Sequence, residues 1–285
     1  MAKIVFDTYG KTRVRLTYVN RSGTRHELKE LTVNVLMEGA FEDAFTKADN
    51  SIVLPTDTMK NTVYALARKK PIESIEEFAR TLARHFLAVD LVKHQFQTNM
   101  AHLKQVKIEI NEVPWLRIGD SAAAFVLAGL ERRTVVLTAT RTGETFVSGI
   151  TDLQILKTAD SAFVGFIKDE YTTLAETNDR LLGTVLRVDW LYEPKEIDFN
   201  HAHAGIRNLL LSTFAEHKSL SVQQTLYDMA EAVLAKFDCV AEIHLVMPNK
   251  HCLLVDLSRF SMDNPNQVFQ PTDEPSGYIE ARIAR

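Results

Sequence analysis

The sequence predicts an α+β protein in which antiparallel sheets carry helices on one face. Three observations predict it: long runs of alternating apolar and polar residues, pairs of amphipathic helices between those runs, and a recurrence of one element order in both halves of the chain. The 285 residues, 46% of them hydrophobic, suffice for one large domain or two medium ones.

Val14, Leu16 and Tyr18 alternate with Arg13, Arg15 and Thr17, and Leu31, Val33, Val35 and Met37 alternate with polar neighbours. Asn20-Arg21-Ser22-Gly23 lies between them as a turn cluster, so residues 12–38 read as a β-hairpin, preceded by Tyr9-Gly10-Lys11. A helix over 57–68 follows, with Thr56 or Asp57 as its cap. A second helix runs over 75–89, opened by Ser74 and Glu77 as a capping box, with Ile75, Phe78, Leu82, Phe86 and Val89 on one face. Residues 91–98 and 103–110 read as strands.

The order then recurs. Thr134–Thr140 and Thr145–Leu156 flank Arg141-Thr142-Gly143-Glu144 as a second hairpin, and a strand covers 182–192 after a long loop. Two helices follow, one presenting Ile206, Leu209, Leu210 and Phe214, the other Leu226, Met229, Ala230, Val233 and Phe237. Strands at 240–247 and 252–257 flank Pro248-Asn249-Lys250-His251, which reads as a hairpin turn. Pro265, Pro271 and Pro275 mark the last segment as an extended surface tail. Hairpin, two helices and strand pair thus occur twice, with a boundary near residue 130 that gives halves 1–130 and 131–285. Sheet edges exposed by each half favour pairing with another chain.

Thirty-three Lys and Arg against 37 Asp and Glu leave a net charge of −4, which argues against a dedicated nucleic-acid binder. Cys239 and Cys252 are too few for a disulfide framework or a four-thiolate zinc site and suit a reducing cytosol. Asp7 breaks the N-terminal apolar run, and Ala122–Leu130 falls short of the roughly 20 residues of a membrane helix. A soluble cytoplasmic protein with neither nucleic acid nor membrane as partner is the expectation.

Most site signatures are missing: the sequence has no phosphate-binding Gly-rich loop, dinucleotide fingerprint, Gly-x-Ser-x-Gly or His-Glu-x-x-His. His201-Ala202-His203 is the best metal candidate, but residues two apart do not share a helix face, and two surface histidines are the better reading. Ser221-Val222-Gln223-Gln224 has the form of a capping box, which sets Val222 and Gln223 in a first turn that favours an anion; taken alone, an ordinary helix start is the better reading. Asp169-Glu170-Tyr171-Thr172-Thr173-Leu174 lies in the long loop, where function often resides.

Taken together these segments are more specific. Tyr9-Gly10-Lys11, Thr56-Asp57-Thr58-x-Lys60-Asn61-Thr62-Val63-Tyr64, Phe163-x-Gly165-Phe166, Asp169-Glu170-Tyr171-Thr172-Thr173-Leu174-x-Glu176-Thr177-x-Asp179-Arg180, Gln224-Thr225-x-Tyr227 and Pro248-Asn249-Lys250-His251 follow in one order. In this the sequence resembles the urate oxidases (uricases), over about residues 9 to 280.

The resemblance implies the tunnelling fold (T-fold): two tandem halves, each an antiparallel sheet with two helices, closing into a barrel on dimerisation and stacking as a homotetramer. It implies oxidation of urate by O2 and water to 5-hydroxyisourate and hydrogen peroxide, with no metal and no organic cofactor. Residue by residue, Arg180 and Gln223 match the family's contacts to the edges of the purine, Val222 adds a backbone N–H, and Phe163 stacks on the ring. Thr56 and Asp57 match residues given by the neighbouring subunit. Lys11, Thr56 and His251 match a proton relay, and Asn249 with Thr56 holds O2 and then water. The sequence departs from the family at Asp120–Phe125, at Lys168 and at Val164, none of which bears an assigned role. A pterin- or purine-processing enzyme of the same fold and a non-catalytic purine-binding oligomer are the alternative readings.

Overall fold

Alternating residues become strands where one face is buried, and the first hairpin forms in this way. In the computed structural model, which describes residues 2–88, 90–93 and 96–285, β1 (Tyr9–Asn20) pairs antiparallel with β2 (Glu27–Gly39). Leu31, Val33, Val35 and Met37 of β2 are fully buried, opposite Leu16, Val14, Lys11 and Tyr9. Tyr9-Gly10-Lys11 therefore lies within the first strand and does not precede it. Two residues, Thr12 and Arg13, stand opposite Asn34 alone. Arg13 takes a left-handed φ of 58° and donates its N–H to Asn34 Oδ1 at 2.7 Å, a β-bulge in mid-strand.

Chain contacts divide the molecule into two compact units: Met1–Gly149 with Leu191–Asn200, and Ile150–Trp190 with His201–Arg285. In the first, a short helix α1 (Glu42–Thr46) precedes α2 (Thr56–Lys69) and α3 (Ile75–Leu87). Ser74 caps α3 by accepting the Glu77 N–H at 3.1 Å, but the Glu77 carboxylate pairs with Arg80, so the box is only half made. Ile75, Phe78, Leu82 and Phe86 are buried as the periodicity predicts, while Val89 lies outside the described residues. The strand predicted over 91–98 is instead two short antiparallel strands, β3 (Asp90–Lys93) and β4 (Phe96–Asn99), and its residues 94 and 95 lie outside the described residues.

β5 (Leu103–Val113) pairs with β2, and the segment after it, left open by the sequence, contains two short antiparallel strands, β6 (Trp115–Arg117) and β7 (Phe125–Leu127). β8 (Arg132–Ala139) then pairs with β5, giving the order β1-β2-β5-β8. α2 packs on β1, and α3 packs on β5 and β8. One buried ion pair fixes the start of α3: Glu76, with no exposed surface, binds Arg133 at 2.7 Å and Ser148 Oγ at 2.8 Å. Arg133 also donates to Asn200 Oδ1 at 2.8 Å.

The second hairpin turns at Thr140–Gly143 into β9 (Glu144–Lys157). β9, β10 (Leu182–Tyr192), β11 (Val240–Val246) and β14 (Glu280–Ala284) are neighbours in that order, with residues 150–157 of β9 and 182–190 of β10 in the second unit. β12 (Asn249–Leu254) pairs with β10 and with β13 (Phe269–Gly277). The predicted hairpin turn at Asn249–His251 is thus the start of a strand, and that strand bonds to β10 and β13, not to β11. The predicted tail is two strands of the sheet; Pro271 and Pro275 are accommodated because, among the described residues, β13 is an edge bonded only to β12.

α4 (Phe199–Glu216) buries Ile206, Leu210 and Phe214, and α5 (Val222–Lys236) buries Leu226, Met229, Ala230 and Val233. Phe237, expected on the helix face, is the C-cap of α5. The His203 ring packs 5.8 Å from that of Trp190, so only His201 of that pair is a surface residue. No helix among the described residues is long and apolar enough to cross a membrane.

Candidate active site

The second unit builds its site from a loop, a helix start and a strand. Phe163 is fixed by two backbone bonds to Thr177, N–H to O at 2.8 Å and O to N–H at 3.1 Å. Gly165 has a φ of 74°, which reverses the chain so that Phe166 stacks on Phe163, with ring centres 4.9 Å apart and planes 12° from parallel. Lys168, paired with Glu176 at 3.2 Å, lies over Phe166. Arg180 lies over Phe163, its guanidinium carbon 5.2 Å from the ring centre.

Arg180 is the electrostatic anomaly of this loop. Its Nε is buried without a hydrogen-bond partner, and among the described residues no carboxylate pairs with the guanidinium. Burial lowers its pKa from the ordinary arginine value, yet a guanidinium stays charged in proteins. A guanidinium presents its donors in a planar fork, a geometry that suits the edge of a planar anion.

A cavity of about 280 Å³ opens beside it, lined by Phe163, Arg180, Asn249 and His251 among others. Asn249 and His251 alternate with Lys250 on β12 and so share a strand face. The carbonyl of His251 accepts from Thr272 Oγ1 at 3.1 Å, and its side chain is exposed.

Val222 and Gln223 lie outside that lining, in the first turn of α5. Ser221 caps the helix by accepting the Gln224 N–H at 3.1 Å. The Gln224 side chain reaches back to the N–H of Leu220, one residue earlier than a capping box requires. The Ala162 N–H donates to the Ser219 carbonyl at 2.7 Å, which ties the Phe163 loop to this helix start. A polar chain holds the junction: Asp228 and Thr225 flank His217, each at 3.0 Å, and the Thr225 hydroxyl donates to Ser219 Oγ at 2.7 Å. Sequence reading passed over His217 and Asp228, and quoted Thr225 only within a motif, because their spacing across a helix start carries no familiar signature.

The first unit brings Lys11, Thr56 and Asp57 together. Cross-strand partners share a face, so Lys11, opposite Val35, points to the helix-covered side of β1. Its charge reaches Asp57 and helps to lower that carboxyl's pKa, after the larger effect of the Lys60 ammonium hydrogen-bonded to it. The expected cap at Thr56 or Asp57 does not form. Pro55 is the N-cap, no side chain caps the helix, and Thr56 is the first helical residue. The Thr56 hydroxyl makes no hydrogen bond among the described residues and is not spent on capping. Tyr9 is a further residue that spacing did not disclose: its hydroxyl accepts the Leu54 N–H at 3.1 Å. Among the described residues no group of three His, Cys, Asp or Glu is placed to hold a metal ion.

The profile of the family described as Uricase matches residues 7–138 and 146–280. The chain is 42% identical to the uricase of Arthrobacter globiformis over 97% of this chain and 88% of that one. It is 37% identical to the uricase of Dictyostelium discoideum over 100% of this chain and 98% of the other. The crystal structure of the A. globiformis uricase superposes with a TM-score of 0.92 at 42% identity, covering 100% of this chain and 96% of that chain. A urate oxidase of Bacillus sp. TB-90, at 24% identity and a TM-score of 0.78 over 98% of this chain and 100% of that one, shares the fold.

Proposed function

The chain belongs to the uricase family, and from that premise we propose that it oxidises urate to 5-hydroxyisourate without a metal or organic cofactor. The buried, unpartnered Arg180 beside the Phe163 ring is the observation that carries this reading, because urate is a planar anion with acceptors on its edge. Arg180 binds one edge through its fork, Gln223 donates and accepts at the opposite edge, Val222 offers its backbone N–H, and Phe163 stacks on the face.

Chemistry then requires a second proton to leave the bound monoanion. Lys11, Thr56 and His251 form the relay, with the free Thr56 hydroxyl passing the proton. Two electrons move from the deprotonated purine to O2, which takes up two protons and leaves as hydrogen peroxide. Water adds its hydroxyl to C5 and its proton to a ring nitrogen, which balances the product. Asn249 and Thr56 hold first O2 and then water above the ring.

Lys11, Thr56 and Asp57 belong to one unit and the other site residues to the second. A two-fold dimer in which each pocket takes Thr56 and Asp57 from its partner, doubled to a tetramer, accommodates that division. The test is direct: chelator-treated protein given urate in air should consume urate and O2 in equal amounts and release peroxide. Urate bound but unchanged would favour a non-catalytic purine-binding protein. Urate neither bound nor consumed would remove the reading altogether.

A further inference from the structure

We propose that Tyr9 is a positioning residue for the reaction: by accepting the Leu54 N–H, its hydroxyl sets where Thr56 stands relative to Lys11. The proposal rests on the function reading above through the roles of Lys11 and Thr56.

Tyr9 and Lys11 are two residues apart in β1 and lie opposite Met37 and Val35, both fully buried, so their side chains share the helix-covered face. Leu54 and Thr56 are likewise two residues apart, separated by the N-cap Pro55. The Tyr9–Leu54 bond at 3.1 Å therefore joins the two short segments that carry the relay groups.

The bond matters because the segment entering α2 has little else to hold it. Its other hydrogen bonds are local: Ser51 N–H to Asp49 Oδ1 at 2.9 Å, Val53 N–H to Asn50 O at 3.1 Å and Asp49 N–H to Asp43 O at 3.2 Å. Among the described residues, the Tyr9 hydroxyl is the one partner by which Lys47–Pro55 is hydrogen-bonded to the sheet. Helix α2 has no side-chain cap, so nothing at its first turn makes good the loss.

Tyr9 itself is firmly seated. Its ring meets Phe41 edge-on at 4.7 Å, and Phe41 meets His102 at 5.1 Å. The next residue, Gly10, lies so close to β2 that a Cβ there would stand 1.9 Å from the Val35 carbonyl oxygen. Gly10 thus holds β1 close against β2, whereas the loop is tied to the sheet, among the described residues, by a single hydrogen bond and is what would move. Burial raises the phenol's pKa and keeps it neutral. A displacement near 1 Å of a reacting group can cost on the order of 100-fold in rate.

Tyr9→Phe removes the hydroxyl and keeps the ring. Its kcat for urate should fall about 10-fold, with KM within about twofold and the Leu54 amide exchanging faster with solvent. Phe86→Leu weakens the core under α3 without touching the Tyr9 ring or hydroxyl, and should lower Tm while sparing kcat. An unchanged kcat in Tyr9→Phe, or equal kcat losses in the two variants, would overturn the proposal. A wild-type protein that does not turn over urate would overturn the function reading instead, and the relay role with it.

Discussion

The guanidinium of Arg180 lies 5.2 Å over the ring centre of Phe163, with its Nε buried and unpartnered. On the proposed reading the two residues would recognise different parts of one flat anion, its edge and its face. Arg180→Ala should raise the KM for urate by roughly 100-fold, and Gln223→Ala by less, because Gln223 is exposed. Arg180→Lys should recover only part of the loss, since an ammonium cannot reproduce the fork. Steady-state kinetics with full wild-type affinity in Arg180→Lys would discard bidentate recognition.

Lys11→Met and Thr56→Ala should retain urate binding and lose mainly kcat, by about 10²–10⁴-fold each. The Thr56 hydroxyl caps nothing, so Thr56→Ala should leave the thermal midpoint within about 2 °C of wild type, on the scale of an ordinary surface change. A midpoint lowered in step with kcat would mean that Thr56 acts structurally.

Asn34 clamps the bulge that turns Lys11 inward. It accepts the Arg13 N–H, and its amide donates to Glu109 Oε2 at 2.8 Å. Asn34→Leu should free the bulge to migrate, reduce kcat by about 10-fold or more and leave the far-UV circular dichroism unchanged. A variant as active as wild type would show that the bulge needs no clamp.

Glu76→Ala should cost about 3 kcal/mol in urea unfolding, because it leaves the mostly buried Arg133 without its carboxylate. The expected order is wild type, Glu76→Gln, Glu76→Ala, since glutamine can still accept from Ser148. Equal losses for the two variants would locate the effect in packing and not in the ion pair.

Much of the fold is legible in the residue order, for identifiable reasons. The hairpins, α3 and α5 alternate or repeat cleanly because one face of each is buried within its own unit. The misreadings have causes as definite. Period-two counting from Val14 puts Lys11 on the outer side with Arg13 and Arg15, and nothing in Thr12-Arg13 announces a bulge, since Arg13 is neither glycine nor asparagine. Pro248-Asn249 has the composition of a turn, but its chain enters β12 at once because β10 and β13 offer partners from distant parts of the sequence. The site was least legible. Phe163, Arg180, Asn249 and His251 meet only through tertiary structure, and their assignment came from family resemblance rather than spacing.

A shared pocket is testable by mixing two inactive proteins. Thr56→Ala chains still carry Arg180, and Arg180→Ala chains still carry Thr56. If each site takes one residue from either chain, co-refolding equal amounts should restore about a quarter of the sites. Mixed oligomers confirmed by mass spectrometry, with no activity beyond that of the separate variants, would rule the shared pocket out.

The bulge in β1 also changes what a gap means at this place in the chain. Lys11 and Val14 are three residues apart, yet they occupy successive inward positions against Val35 and Val33. A relative lacking either Thr12 or Arg13 would present the same lysine to the same helix by plain alternation. Columns matched without a gap from Val14 backwards would set that relative's lysine beside Thr12 and score the relay as lost. At this strand, equivalence is kept by cross-strand partner and not by distance along the sequence.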